Sequence, residues 1–213
     1  MKVLLVDDHK LIRDGLRAIL EREGVSVVGE AGSGREALEL SRELRPDVVI
    51  MDISMPDLNG VDATKRIVGE RPETKIIGLS MRSDHRYVAA MFQAGAKGYL
   101  LKNSSFEELI RAIHAVAQQL TYVSPAVAGP FVDVTLGRAA PAEAGPNKAL
   151  SVREREVLQL LAEGKTSKEI ATKLSLALPT VESHRRQIME KLGLRSIAEL
   201  TKYAVREGLT SLE

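Results

Sequence analysis

The stretch Asp47-Val48-Val49-Ile50-Met51-Asp52, followed by Ile53-Ser54-Met55-Pro56-Asp57-Leu58-Asn59-Gly60, decides the fold. An apolar run of the right length for a buried parallel strand ends in a carboxylate, and Pro56 and Gly60 then turn the chain into a loop. Asp52 therefore falls at the carboxyl edge of a strand. In open α/β sheets, ligands and chemistry gather at that edge, which makes Asp52 a functional candidate. A solvated strand-terminal Asp reads the same in isolation, so the other residues brought to that edge decide the matter.

On the amino-terminal side, Val3-Leu4-Leu5-Val6 reads as a buried strand, and Leu11, Ile12, Leu16, Ile19 and Leu20 recur at helical spacing up to Gly24. Val25 to Gly29 forms a second strand, and Ser33 with Glu36 makes a capping box for a helix that Pro46 stops. On the other side, Val61 to Val68 is helical in spacing, Ile76 to Ser80 is a strand, and Asp84 to Ala94 is a helix closed by Gly95. Tyr99-Leu100-Leu101 is a fifth strand, and a capping box at Ser105 and Glu108 opens the helix that carries Leu109, Ile113 and Val116. Alternation of this kind predicts an α/β domain over residues 1–119: a five-stranded, doubly wound parallel sheet covered by helices on both faces.

The carboxyl ends of those strands carry Asp7 and Asp8, Asp52, Ser80 and Lys102. Three carboxylates held close together repel, and one takes up a proton unless a cation neutralises them. A hard divalent ion such as Mg2+ suits such a site and also grips phosphoryl oxygens, which a nearby ammonium and hydroxyl help to hold. Asp52 is then the nucleophile of a phosphoryl transfer, a reaction that depends on positioning and charge neutralisation more than on intrinsic nucleophilicity.

Asp7-Asp8, Asp52 with Met55-Pro56 and Gly60, Ser80, and Tyr99 with Lys102 resemble the flavodoxin-like receiver domain of two-component response regulators. The resemblance implies that Asp52 accepts a phosphoryl group from a phosphohistidine on a sensor histidine kinase. It implies Mg2+ bound by Asp7, Asp8, Asp52 and the backbone carbonyl of Ser54. Ser80 and Lys102 then contact the phosphoryl group, and Tyr99 reorients on activation. Each residue also has a plain reading: Asp7 and Lys102 as surface charges, Ser80 as a strand-end cap, Tyr99 as a half-buried strand aromatic.

Residues 120–147 read as a linker, because Pro125, Pro130, Pro141 and Pro146 alternate with Gly129, Gly137 and Gly145. Pro125 suits the first position of a short helix, which Pro130 is expected to kink or end. Arg138 to Lys148 reads as a flexible tether that lets the flanking domains change relative position.

Residues 148–213 read as a smaller all-α domain of four helices. Capping boxes stand at Ser151 and Glu154, Thr166 and Glu169, and Ser196 and Glu199, and a longer helix is expected over Thr180 to Leu192, ended by Gly193. Two helices joined by a tight turn between Thr166 and Leu192 have helix-turn-helix spacing. The motifs Ser151-x-x-Glu154-x-Glu156-Val157-Leu158, Lys168-Glu169-Ile170-Ala171, Thr180-Val181-Glu182-Ser183-His184-Arg185 and Lys191-Leu192-Gly193 resemble the LuxR-type helix-turn-helix. With the receiver, they resemble the NarL/FixJ group of response regulators.

By that resemblance Glu182, Ser183 and Arg186 face bases in the major groove, and Lys168, Thr180 and Arg185 contact phosphates. Arg can read guanine and Glu can accept from cytosine N4, whereas phosphate contacts carry no sequence information. The resemblance further implies double-stranded DNA, a phosphorylation-dependent homodimer contacting through the last helix, and RNA polymerase as partners. As a bland alternative, these polar residues make a solvated helix face, and His184 a cap or packing residue. Ala177-Leu178-Pro179 departs from the Ser/Thr-rich start usual for the recognition helix. Pro179 suits its first position, but Leu178 lacks a capping oxygen, a loss of about 1 kcal/mol.

Composition agrees with this division. Twelve Lys and Arg face nine Glu from Lys148 onward (+3), against 18 basic and 20 acidic residues before it (−2), a modest bias towards a polyanion partner for the tail. The chain has no cysteine, which excludes disulfides and thiolate metal sites, and the apolar run at its start is too short for a signal peptide or membrane span. A cytoplasmic protein is expected, which regulates transcription rather than acting as an enzyme beyond Mg2+-dependent self-phosphorylation and autodephosphorylation. Two other readings remain. A phosphohydrolase of the haloacid dehalogenase type wants a second Asp where Ser54 stands, and a ligand-sensing quorum regulator wants an aromatic-rich head where aromatics are 3% of the chain.

Overall fold

A computed structural model describes residues 1–135 and 150–210. The described residues fall into two compact units, one on each side of that gap.

The first unit is built on strands β1 (Lys2–Val6), β2 (Ser26–Ala31), β3 (Val48–Asp52), β4 (Lys75–Ser80), β5 (Gly98–Leu101) and β6 (Tyr122–Val123). All pair in parallel in the order β2-β1-β3-β4-β5-β6. The helices between them are α1 (Lys10–Arg22), α2 (Gly34–Leu44), α3 (Gly60–Glu70), α4 (His85–Gln93) and α5 (Phe106–Ala117), with α6 (Pro125–Thr135) after β6.

Strand residues alternate between two cores, as the period of two demands. Leu4, Val6, Val49, Met51 and Ile76 pack with Ala37, Leu38, Ala63, Ile67, Val88 and Met91 from α2, α3 and α4. Val3, Leu5, Val48, Ile50 and Ile77 pack with Leu16, Leu20, Leu109, Ile113 and Val116 from α1 and α5 on the opposite face. Burial on both faces explains why β3 is apolar throughout up to Asp52.

The sheet has six strands rather than five, and the first part of the stretch expected as linker belongs to this unit. Tyr122 and Val123 pair with Gly98 and Tyr99. The helix α6 then runs from Pro125 through position 130 to Thr135. Its Val127 is fully buried in the α2–α4 core, and the rings of Phe131 and Phe92 lie 6.2 Å apart. Tertiary packing offsets the missing amide of Pro130, which local propensity alone reads as a break. The tether expected from Arg138 to Lys148 lies outside the described residues.

Local caps explain where the helices begin. The side chains of Ser33, Asn59, Asp84 and Ser105 accept from amides in the first turns of α2, α3, α4 and α5. The expected box at Ser33 is half formed, because the Glu36 carboxylate accepts from the Gly32 amide at 2.6 Å.

The second unit comprises α7 (Val152–Ala162), α8 (Ser167–Leu174), α9 (Leu178–Leu192) and α10 (Ile197–Arg206) around Val157, Leu161, Ile170, Val181, Ile188 and Leu200. Complete capping boxes form at Ser151, Thr166 and Ser196. The helix α9 starts two residues earlier than expected: Ala177 is its N-cap, without a side-chain hydrogen bond, and Pro179 lies in its first turn. Among the described residues, no helix is long and apolar enough to cross a membrane.

Candidate functional site

The strand order places β1 and β3 side by side at the point where the chain reverses its direction of winding, so Asp7 and Asp52 end neighbouring strands. Lys102, just past β5, reaches across to both. Its Nζ lies 2.6 Å from Asp7 Oδ2 and 2.8 Å from Asp52 Oδ2. Asp52 Oδ1 accepts from the Ser54 amide at 3.2 Å, so Ser54 meets the site through its backbone N–H. The chain must then leave Asp52 without obstruction: a Cβ on Gly60 would stand 2.0 Å from the Asp52 carbonyl oxygen, which only glycine avoids.

Burial pushes the Asp52 carboxyl up to about 6; Lys102 works against that shift and Asp7 adds to it. Burial likewise works to lower the Lys102 ammonium, but Asp52 and Asp7 beside it carry it above its ordinary value. Asp7, Asp8, His9 and Asp52 each offer one ligand atom, and these four atoms lie within 4.8 Å of one another. Asp7 Oδ2 and Asp8 Oδ1 are buried without a partner at hydrogen-bond angles, despite the close approach of Lys102 to the first and of His9 Nδ1, at 2.8 Å, to the second. Buried carboxylate lone pairs left without hydrogen bonds and converging on one point fit a hard divalent cation.

Ser80 and Tyr99 meet at a residue the sequence did not single out. Ser80 Oγ accepts from the Arg82 amide at 3.0 Å, and the fully buried Tyr99 donates its hydroxyl to the Arg82 carbonyl at 2.6 Å. Burial pushes the Tyr99 phenol up to about 12, with the nearby Ser80 hydroxyl opposing the shift. The Arg82 side chain donates to the Tyr87 hydroxyl at 2.7 Å and lies over that ring. Tyr99 is thus wholly buried, not the half-buried strand aromatic of its plain reading.

In the second unit, Val181 and Ile188 turn α9 inward, leaving Glu182, Ser183 and Arg186 exposed, with Thr180 exposed beside them and Arg185 half-buried. Lys168 is exposed on α8. A groove of about 580 Å³ along α9 is lined by Glu182, Arg185, Arg186, Met189, Glu190 and Arg195. His184 is half-buried, with its Nδ1 enclosed. One supporting contact was missed in the sequence: Lys191 Nζ, on α9, lies 2.7 Å from the buried Glu154 carboxylate that also caps α7. Burial works to raise that carboxyl, but Lys191 and the Ser151 amide hold it below the ordinary carboxylate range.

A buried carboxylate at the switch point of a parallel α/β sheet, joined to a helix-turn-helix unit, defines a receiver domain coupled to a DNA-binding domain. Comparison with known proteins bears this out: residues 3–114 match the response regulator receiver domain, and residues 148–204 match the luxR family of bacterial regulatory proteins. The chain is 42% identical to the oxygen regulatory protein NreC of Staphylococcus epidermidis over 215 residues, covering 98% of this chain and 99% of that one. It is 38% identical to the transcriptional regulatory protein MctR of Rhizobium johnstonii, covering 99% and 96%. RcsB from Salmonella enterica serovar Typhimurium, solved on promoter rprA in the presence of the phosphomimetic BeF3-, superposes with a TM-score of 0.62 at 31% identity, covering 95% and 97%. The chain belongs to the two-component response regulators, in their NarL/FixJ group, with a LuxR-type DNA-binding domain. The family consists of transcription regulators rather than enzymes of the classical kind.

Proposed function

We propose that Asp52 is the phosphoacceptor and that its modification gates DNA binding by the second unit. The observation that carries this reading is the Lys102 ammonium held between the buried carboxylates of Asp7 and Asp52. An Asp52 oxygen attacks the phosphorus of a phosphohistidine on a sensor histidine kinase; the P–N bond breaks, its electrons return to the imidazole, and an acyl phosphate forms. Asp7, Asp8, Asp52 and the Ser54 carbonyl hold Mg2+, which when bound neutralises charge on the phosphoryl oxygens. Lys102 follows the charge from carboxylate to phosphoryl oxygen. Hydrolysis of the acyl phosphate by water restores Asp52, and acetyl phosphate can load it without a kinase.

Ser80 is the lever. Its hydroxyl accepts from the Arg82 amide, and on turning to the phosphoryl group it releases the segment that Tyr99 also holds. A phosphoryl group shifts the population only by its different interaction with the two arrangements, and Ser80 and Tyr99 supply that difference. In the second unit Glu182, Ser183 and Arg186 read bases while Lys168, Thr180 and Arg185 bind phosphates. A homodimer on a two-fold-related site, in the cytoplasm and in contact with RNA polymerase, completes the reading.

The test is the mass of the intact protein after incubation with acetyl phosphate and Mg2+. A gain of one phosphoryl group by the wild type and none by Asp52→Asn is expected; an equal gain by both refutes the assignment of Asp52.

A further inference from the structure

We propose that His9 is a nitrogen ligand of the cation site, so that the acidic pocket prefers first-row transition ions, Mn2+ among them, to Mg2+. This rests on the reading of Asp7, Asp8 and Asp52 as a cation site.

Four ligand atoms, from Asp7, Asp8, His9 and Asp52, lie within 4.8 Å of one another. That separation is close to the span of two opposed ligands at about 2.0–2.2 Å from one ion. His9 is fixed in that direction by its backbone as well as its ring. Its amide donates to Asp7 Oδ1 at 2.9 Å, and its Nδ1 lies 3.2 Å from the same oxygen and 2.8 Å from Asp8 Oδ1. The imidazole Nδ1 therefore points at the carboxylates rather than at solvent, although more than half of the side chain is exposed. A divalent ion at that convergence point has the His9 Nδ1 within reach as a ligand beside the carboxylate oxygens.

The chemistry of the donor set then sets the preference. An all-oxygen site with free water positions suits Mg2+, which dehydrates reluctantly and rarely accepts nitrogen. One imidazole in place of a water favours first-row transition ions, for which imidazole is an ordinary ligand. His9 lies at the rim, so it can join or leave the ion without disturbing the sheet, and its removal leaves the carboxylates in place. Lys102 competes with any ion for Asp7 and Asp52.

The full-length, metal-free protein is titrated with Mn2+ and examined by pulsed electron paramagnetic resonance, which detects nitrogen-14 nuclei bonded to the ion. Bound Mn2+ in the wild type is expected to show nitrogen modulation that His9→Ala abolishes. The preference for Mn2+ over Mg2+, read by competition, is expected to fall by about tenfold in the variant, the lower end of what loss of even an outer partner of a metal ligand costs. Mn2+ bound without nitrogen modulation, or with modulation that survives His9→Ala, overturns the role of His9 while leaving the oxygen site intact. Failure of both ions to bind overturns the cation site itself and the proposal with it.

Discussion

Lys102 Nζ stands 2.8 Å from Asp52 Oδ2, with 9% of one side chain and 3% of the other open to solvent. Burial makes Asp52 costly to ionise, and the Lys102 ammonium offsets part of that cost. With its pKa near 6 against an ordinary value of 3.8, the carboxyl is raised in the folded state, so the folded chain holds a proton that the unfolded chain has lost between those values. Stability attached to this group therefore falls as pH rises through about 4 to 6 and stays low above that. Asp52→Asn, measured without divalent ions, is expected to melt at a higher temperature than the wild type at pH 8, with the gain shrinking towards zero near pH 4. A gain independent of pH would show that ionisation of Asp52 is not its source.

Lys102→Ala tests the other partner. It leaves Asp7 and Asp52 facing each other without a cation, and breaking a buried pair in this way costs about 3 kcal/mol. The loss is expected in denaturant melts at pH 8 in the presence of a chelator. Added Mg2+ then raises the stability of the variant more than that of the wild type, since no ammonium competes for the carboxylates. An equal response of the two proteins would indicate that the ion does not share oxygens with Lys102.

Tyr99→Phe removes the hydroxyl that donates to the Arg82 carbonyl at 2.6 Å. Loss of one such bond costs about 1 kcal/mol in equilibrium unfolding. The larger effect is expected in amide exchange, which should quicken from Arg82 to Asp84, the stretch that Tyr99 and Ser80 tie down. Unchanged exchange there would remove Tyr99 as a lever on this loop.

Much of this was legible in the sequence, for identifiable reasons. Strands buried on both faces are short and wholly apolar, and Asp52 stood out because it ended such a run. The convergence of Asp7, Asp52 and Lys102 follows once those strands are parallel and neighbouring. The helix α6 was misread because Pro and Gly count locally as breaks, whereas Phe131 against Phe92 and the buried Val127 are contacts distant in sequence. Arg82 escaped notice because its part is played by its backbone, which has no residue signature. Lys191 and Glu154 lie 37 residues apart, and the capping box already gave Glu154 a sufficient role. His9 did carry a signal, an imidazole directly after two aspartates, but position in the sequence says nothing of where the ring points.

Arg186 and Lys168 separate base reading from phosphate binding. Arg186→Ala is expected to weaken binding to a selected site by about 1–3 kcal/mol and to relax preference for that site over random DNA. Lys168→Ala is expected to weaken both alike and to flatten the salt dependence by about one unit of slope. Equal losses on selected and random DNA for both variants would argue against placing α9 in the major groove.

The most direct test of gating is binding of the full chain to a DNA fragment it has itself selected from a random pool, measured with and without acetyl phosphate and Mg2+. Binding by the wild type is expected to tighten on addition of acetyl phosphate, and binding by Asp52→Asn is expected not to respond. Stimulation of Asp52→Asn to the wild-type extent would contradict gating through Asp52.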